Sequence, residues 1–136
     1  MVFGHSSSSS GGVLTVTVCE GKDLKDQDAV GKNDPYVEMW LDEDYKQRSS
    51  TINNTNNPVW NETFSFNVPA GSHDKKLYLK VLDKDLVSSS DKIGDTKVDL
   101  KDVYMGKPFE GWVKLPAKLG LSSHGEILLR MHFAPN

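Results

Sequence analysis

Apolar and polar residues alternate with a period of two along most of the chain. The alternation is clearest over residues 14–19, 36–41, 64–68, 77–81 and 127–133. Successive side chains of a β-strand point to opposite faces of the sheet, so a strand with one buried face shows this pattern. Each of the five segments is therefore predicted to be a half-buried strand.

Weaker alternation predicts three more strands, at about 46–53, 94–100 and 111–115. The breaks between strands are rich in Gly, Asn, Asp, Ser and Pro, which is typical of turns. A short helical turn is expected near residues 100–105, ended by Gly106 and Pro108. About eight short strands without a strong helical segment predict an all-β protein, an eight-stranded antiparallel β-sandwich.

Length and composition indicate that the 136 residues form one soluble domain. Residues 1–12 are Ser/Gly-rich and are predicted to be a flexible tail, and residues 13–136 the folded domain. The start lacks the basic and apolar regions of a secretory signal. Cys19 is the only cysteine, which suits a reducing cytoplasm. The net charge of −3 gives the whole chain no attraction for nucleic acid.

Two stretches set aspartates at short, fixed intervals. Asp28 and Asp34 lie six positions apart, while Asp85 follows Asp83 by two positions and Asp91 follows Asp85 by six. Crowded carboxylates repel each other unless a cation lies among them, and Ca²⁺ takes six to eight oxygen ligands. An EF-hand is excluded for the second stretch, because that loop lacks the Gly at position six and the Glu at position twelve.

The position of the aspartates relative to the strands decides whether they can share an ion. The first pair precedes the strand that begins near Tyr36, and the second group follows the strand that ends near Leu82. Strand direction alternates in an antiparallel sandwich, so both loops can leave the same end. The sequence therefore predicts that the carboxylates converge.

Three motifs in this order resemble those of a C2 domain. They are Asp28-x5-Asp34-Pro35-Tyr36-Val37, then Asn57-Pro58-Val59-Trp60-Asn61-Glu62-x-Phe64, then Asp83-x-Asp85-x5-Asp91 followed by Ile93-Gly94. The resemblance covers residues 12–133 and is strongest to small single-C2-domain proteins such as the plant elicitor-responsive kind. The strand order resembles the phospholipase-type, or type II, permutation of the fold.

The resemblance implies a complete calcium site. In the family, five loop aspartates bind two or three Ca²⁺ ions, and none of the five is replaced in this chain. The resemblance further implies an oxygen from Ser88 and backbone carbonyl ligands from Gln27 and Lys84. The five positions that match the family's aspartates are Asp28, Asp34, Asp83, Asp85 and Asp91.

A Ca²⁺-dependent phospholipid-binding module is the expected function. Without metal, clustered carboxylates repel anionic lipid, and bound cations reverse that field. Apolar residues at the crowns of the two loops would then insert at the membrane surface, although they could instead pack on neighbouring loops. The residues expected to contact the membrane are Ala29, Val30, Lys32, Leu86 and Val87. The protein would be cytoplasmic and bind anionic phospholipid membranes peripherally when Ca²⁺ rises.

Two other functions are considered. A protein-interaction domain with structural Ca²⁺ and no membrane role would use Tyr36, Trp40, Lys46 and Arg48. Some C2 domains also bind phosphoinositides through lysines on two strands. Lys46 and Arg48 match one strand of such a site, near Tyr36, but Glu38 and Trp40 stand where the second strand would carry lysines.

Catalysis is not expected. The histidines form no metal-spaced cluster, and the chain has no Gly-rich phosphate loop and no nucleophile elbow. Cys19 lies in a strand without a pairing signal and is read as a structural thiol. Five carboxylates that share one site suit a cation better than a proton relay.

Overall fold

The protein is an antiparallel sandwich of two four-stranded sheets. The computed structural model describes residues 11–26, 31–72, 75–84, 90–117 and 123–136. Within these ranges the strands are β1 (Gly12–Lys22), β2 (Pro35–Trp40), β3 (Gln47–Arg48), β4 (Val59–Val68), β5 (Lys76–Asp83), β6 (Asp91–Asp99), β7 (Phe109–Lys114) and β8 (Glu126–Pro135), with one helix, α1 (Lys101–Tyr104). The predicted all-β, eight-stranded antiparallel fold is confirmed.

The first sheet has the strand order β4-β1-β8-β7, and the second has the order β3-β2-β5-β6. All neighbouring strands are antiparallel. The last strand along the chain, β8, lies between β1 and β7, as the predicted type II permutation requires. β1 begins at Gly12, the last residue assigned to the predicted tail, and residues 1–10 of that tail lie outside the described residues.

The core lies between the sheets and follows the period-two pattern. Leu14, Val16 and Val18 of β1 are fully buried, as are Leu77 and Leu79 of β5. The alternation breaks after Val18, where β1 shifts register against both of its neighbours. The bulge turns Cys19 inward, so this thiol is buried, in agreement with its predicted structural role.

The third strand is shorter than expected, and side chains of β4 hold the segment that follows it. The sequence predicts a strand over 46–53, but β3 comprises only Gln47–Arg48. Beyond it, the Ser50 backbone N–H donates to Glu62 Oε1 over 3.0 Å, and the Trp60 indole N–H donates to the Ser50 carbonyl over 3.0 Å. The Ser50 hydroxyl also bonds to Glu62. Trp60 is buried in the core.

The predicted helical turn is present as α1, and Gly106 follows it with a φ of 100°. Asp99 precedes the helix and accepts a hydrogen bond from the Lys101 backbone N–H over 2.8 Å, which lowers the pKa of Asp99. Among the described residues, no helix has the length and apolar character needed to cross a membrane.

Seven strand ends meet at one end of the sandwich, which we call the apex. β1, β5 and β7 end there, while β2, β4, β6 and β8 begin there. The register shows this in both sheets, because Glu126 pairs with Lys22 and Lys114, and Asp83 pairs with Pro35 and Asp91. Four connections leave the apex: loop 1 (residues 23–34), loop 2 (49–58), loop 3 (84–90) and the β7–β8 connection (115–125).

Gly125 provides a test of close packing at the apex. Its φ is +121°, and a Cβ atom would lie 2.9 Å from Leu24 Cα and 3.0 Å from Asp23 O. Gly71 is a matched control, since its φ is +77° but no atom lies within 4 Å of the Cβ position. We expect Gly71→Ala to cost about 1 kcal/mol of stability, and Gly125→Ala to cost roughly 1–3 kcal/mol more. Urea denaturation measures both, and equal losses would contradict the packing argument.

Candidate metal centre

The structure describes part of the predicted calcium site. Three of its aspartates and one of its backbone ligands lie within the described residues: Asp34, Asp83, Asp91 and Lys84. The remaining predicted ligands, Gln27, Asp28, Asp85 and Ser88, lie outside them. The predicted membrane contacts Ala29, Val30, Leu86 and Val87 also lie outside them, whereas Lys32 is described and exposed.

Two hydrogen bonds of Asp34 join loop 1 to the end of β5 and to loop 3 at the apex. The Asp34 backbone N–H donates to Asp83 Oδ1 over 2.7 Å, although the two residues are 49 positions apart. The Lys84 backbone N–H donates in turn to the Asp34 carbonyl over 2.9 Å. The two aspartate groups identified in the sequence therefore meet at one end of the fold.

Asp91 lies beside the same pair. It is the first residue of β6 and is directly opposite Asp83 across the β5–β6 ladder, so it starts a strand and does not lie within the loop. Residues directly opposite in an antiparallel pair have Cβ atoms about 4.5–5.5 Å apart. At that separation two carboxylates repel each other, which favours a cation near them.

Asp83 is the most buried of the described site aspartates, at 4% exposure. A buried carboxylate is costly unless hydrogen bonds or a counter-charge compensate for the lost hydration. The backbone donor from Asp34 supplies one compensating bond. A divalent cation would supply more, and carboxylate oxygens are the ligands that Ca²⁺ prefers.

The described residues alone do not complete a metal site. Among them, no group of three or more His, Cys, Asp or Glu side chains is arranged to hold a metal ion. The described part thus forms the base of the candidate centre. Its remaining ligands would have to come from loop positions that the structure does not describe.

A buried asparagine holds loop 1 against loop 2. Asn33 is 0% exposed, and its Nδ2 donates to the Lys25 carbonyl over 2.8 Å and to Asn56 Oδ1 over 2.7 Å. The backbone N–H of Asn33 donates to the same Asn56 oxygen over 3.2 Å, and its carbonyl accepts the Thr55 N–H over 2.8 Å. This network fixes the backbone immediately before Asp34.

A second asparagine orients the Asp34 carboxylate directly. The Asn54 backbone N–H donates to Asp34 Oδ1 over 2.6 Å, and Asn54 adopts a φ of 56°. Asn tolerates the left-handed region better than most residues, because its short polar side chain can bond locally. Sequence reasoning missed the roles of Asn33 and Asn54. The run Asn53-Asn54-Thr55-Asn56-Asn57 was a visible signal for Asn54.

The connection between β7 and β8 is also tied to the apex, through His124. The His124 carbonyl accepts the Lys25 N–H of loop 1 over 3.0 Å, and its Nδ1 lies 3.1 Å from the Ile93 carbonyl on β6. A carbonyl can only accept, so Nδ1 carries the hydrogen in this contact. His124 thus links both sheets without acting as a metal ligand among the described residues.

The side chains considered for anion binding are already engaged on the outer face of the second sheet. Tyr36 is only 5% exposed, and the Arg48 guanidinium lies over its ring at 4.8 Å. Lys46 Nζ lies 4.5 Å from the Trp40 ring centroid and 3.7 Å from Glu38 Oε1. The arrangement offers a cationic and aromatic surface, with little of the Tyr36 ring accessible.

An antiparallel eight-stranded sandwich that gathers carboxylates from two loops at one apex defines a loop-based binding module. The family model described as "C2 domain" matches residues 12–115, and the chain belongs to that family.

Similar proteins include synaptotagmins and stand-alone C2 proteins. The chain is 34% identical to Synaptotagmin-5 of Arabidopsis thaliana over 130 residues, which covers 91% of this chain and 23% of the relative. It thus spans about a quarter of the length of the curated relatives it matches. A solved C2 domain-containing protein from a putative elicitor-responsive gene superposes with a TM-score of 0.76 at 28% identity, covering 98% of this chain and 96% of that chain.

The human GIVD cytosolic phospholipase A2 structure also contains this fold. It superposes with a TM-score of 0.80 at 27% identity, over 95% of this chain and 17% of that chain. The match therefore concerns a single part of a much longer enzyme.

Asn33→Ala tests the bracing of the apex. The change removes the amide donor of the Lys25 carbonyl, while Asn56 Oδ1 keeps only the Asn33 backbone N–H, and an unsatisfied buried group costs about 1–3 kcal/mol. We expect the free energy of unfolding in urea to fall by roughly 1–3 kcal/mol. Asn53→Ala is the control, because Asn53 lies in loop 2 but is exposed. A comparable loss from both variants would contradict a specific role for Asn33.

Proposed function

We propose that this C2 domain is a Ca²⁺-dependent phospholipid-binding module. The observation that carries the proposal is the 2.7 Å hydrogen bond from the Asp34 backbone in loop 1 to the Asp83 carboxylate at the end of β5, directly before loop 3. Two or three Ca²⁺ ions would bind to the loop aspartates, with further oxygens from the Ser88 side chain and the carbonyls of Gln27 and Lys84. The proposed carboxylate ligands are Asp28, Asp34, Asp83, Asp85 and Asp91.

The donor chemistry supports Ca²⁺ over softer metals. All five side chains are hard carboxylates, and Ca²⁺ accepts six to eight oxygen ligands in flexible geometry. Asp34 and Asp83 are each oriented by a backbone N–H donor, so part of the site is ordered before metal binds. A pre-ordered base reduces the entropy that binding has to offset.

Ca²⁺ would act as an electrostatic switch. Five carboxylates at one apex create a negative field that repels anionic headgroups, and two Ca²⁺ ions would offset four of those five charges. Ca²⁺ can also keep coordination positions for lipid phosphate oxygens. The change is local and needs no rearrangement of the sandwich.

The loop crowns would add an apolar contribution. Ala29, Val30, Leu86 and Val87 are proposed to enter the interface, at about 0.8 kcal/mol per buried CH₂. Lys32 would face anionic headgroups at about 1 kcal/mol near a charged surface. The resulting binding is peripheral, on membranes that face the cytoplasm, and the module itself carries no catalytic role.

Neutralising a proposed ligand tests the coupling of metal and membrane binding. We expect Asp34→Asn and Asp85→Asn each to weaken both Ca²⁺ affinity and Ca²⁺-dependent cosedimentation with phosphatidylserine vesicles by at least roughly tenfold. Asp42→Asn is the control, since Asp42 is exposed in the turn after β2, away from the apex. If vesicle binding survives the two apex changes unaltered, the mechanism is wrong.

Ca²⁺ should also stabilise the fold. A ligand at about 100 times its dissociation constant stabilises the native state by about 2.7 kcal/mol, which corresponds to several degrees in melting temperature. We expect Ca²⁺ to raise the melting temperature and EGTA to reverse the increase. A melting curve that Ca²⁺ leaves unmoved would contradict binding to the folded domain.

A second candidate function is protein interaction with structural Ca²⁺. It is supported by the Trp40 and Tyr78 rings, which stack at 5.8 Å on the outer face of the second sheet, with Lys46 over Trp40. On this reading the domain would bind Ca²⁺ but would not sediment with vesicles in its presence. The same cosedimentation experiment separates the two functions.

A further inference from the structure

The outer face of the first sheet carries an apolar row close to the apex. Val59 lies opposite Glu20, Glu20 opposite Leu128, and Leu128 opposite Trp112, so the row crosses all four strands. Val59 is 56% exposed and Trp112 is 37% exposed. Leu128 is half-buried between them, and Glu20 is the one charged residue of the row.

A lysine joins this row to the edge of the apex. Lys22 Nζ lies 4.2 Å from the Trp112 ring centroid and 3.9 Å from Glu126 Oε2. Lys22 is the last residue of β1, directly before loop 1, and pairs with Glu126, which pairs with Lys114. Trp112 stands two residues before the end of β7, which places it about 7 Å from the apex edge at the rise of a strand.

We propose that Val59, Leu128, Trp112 and Lys22 form a lateral patch that makes a second contact with the same phospholipid bilayer. The domain would then dock tilted, with the outer face of the first sheet inclined towards the membrane. Trp and Lys each combine an apolar body with a polar end, and both favour the boundary between headgroups and acyl chains. This inference rests on the proposed function, because the apex has to bring the patch to the surface.

Position and charge favour a bilayer as the occupant. The lateral patch is continuous with the proposed membrane-binding apex, so one flat surface can meet both. Glu20 lies in the row, Lys22, Lys114 and Glu126 lie on its apex side, and Glu110 and Arg130 lie on the other side, so these charges sum to zero. A balanced set imposes no barrier to a headgroup layer that carries phosphates beside ammonium groups.

The fold provides a matched comparison on the opposite sheet. Trp40 is also half-buried beneath a lysine, with Lys46 Nζ 4.5 Å from its ring centroid. It is the last residue of β2, and that strand begins at the apex with Pro35. Five residues of strand place Trp40 about 17 Å from the apex edge, and on the other face of the sandwich. A domain tilted on its first sheet would keep Trp40 in water.

Fluorescence quenching tests the tilt with the full chain. The wild type, Trp112→Phe and Trp40→Phe are mixed with phosphatidylcholine/phosphatidylserine vesicles that contain a shallow doxyl-labelled lipid, with Ca²⁺ or EGTA. Trp60 is 6% exposed in the core and serves as a constant background. We expect Ca²⁺-dependent quenching in the wild type and nearly the same quenching in Trp40→Phe. The quenching should be lost in Trp112→Phe.

Vesicle partitioning provides a second readout. Trp112→Ala should weaken Ca²⁺-dependent partitioning by roughly tenfold, on the apolar area that Trp112 exposes. Trp40→Ala should leave it within about twofold of wild type. Trp112→Phe should recover much of the loss, and calorimetric Ca²⁺ affinity in the absence of lipid should be equal in all variants. Melting curves identify any variant whose fold is damaged. If Trp112→Ala is damaged, the loss of quenching in Trp112→Phe tests the proposal.

The outcomes separate this inference from the proposed function. The lateral contact is overturned, and apex docking is left intact, if three results occur together. The wild type sediments in Ca²⁺, Trp112 is not quenched, and Trp112→Ala partitions normally. If quenching is lost in Trp40→Phe and not in Trp112→Phe, the second sheet faces the membrane and the lateral contact is overturned. A wild-type protein that does not sediment in Ca²⁺ overturns both proposals.

Discussion

The apex depends on bringing like charges together against their repulsion. The backbone N–H of Asp34 reaches the carboxylate of Asp83, and Asp91 lies directly across the β-ladder from Asp83. A carboxylate that is only 4% exposed, as in Asp83, raises the free energy of the folded state unless donors or cations compensate for its lost hydration. The backbone N–H of Asp34 compensates in part. The proposed Ca²⁺ ions would add to that compensation.

The sandwich and the braced loops hold these aspartates in place. Strand ladders fix Asp83 at the end of β5 and Asp91 at the start of β6, so their positions do not depend on loop conformation. Loop 1 is held by the buried Asn33, whose amide bridges Lys25 and Asn56, and by His124, whose carbonyl accepts the Lys25 N–H. These contacts hold the described part of the apex without a metal ion, which suits the proposed local switch better than a conformational change of the sandwich.

Most of the fold could be predicted from the sequence, because a buried face imposes a period of two on every strand that flanks the core. What the pattern could not predict depends on contacts between distant segments. The strand expected over 46–53 comprises only Gln47–Arg48; beyond it the Ser49 hydroxyl accepts the Val37 N–H, and Trp60 and Glu62 bind the Ser50 backbone. Tyr36 occupies an outward position, yet Arg48 buries it. For the site, spacing identified the aspartates, but the amide network of Asn33 has no periodic signature and appears only when loops 1 and 2 are in contact.

The two lysine–tryptophan pairs show how identical local chemistry can differ in function through position alone. Lys22 with Trp112 and Lys46 with Trp40 have nearly the same separation, at 4.2 and 4.5 Å. One pair lies beside the apex on the first sheet, and the other lies at the far end of β2 on the second. A surface that approaches along the apex meets the first pair after a modest tilt, whereas the second faces away from it. In the proposed orientation Trp112 would leave water and Trp40 would stay in it, because the strand order places the two pairs on different sheets.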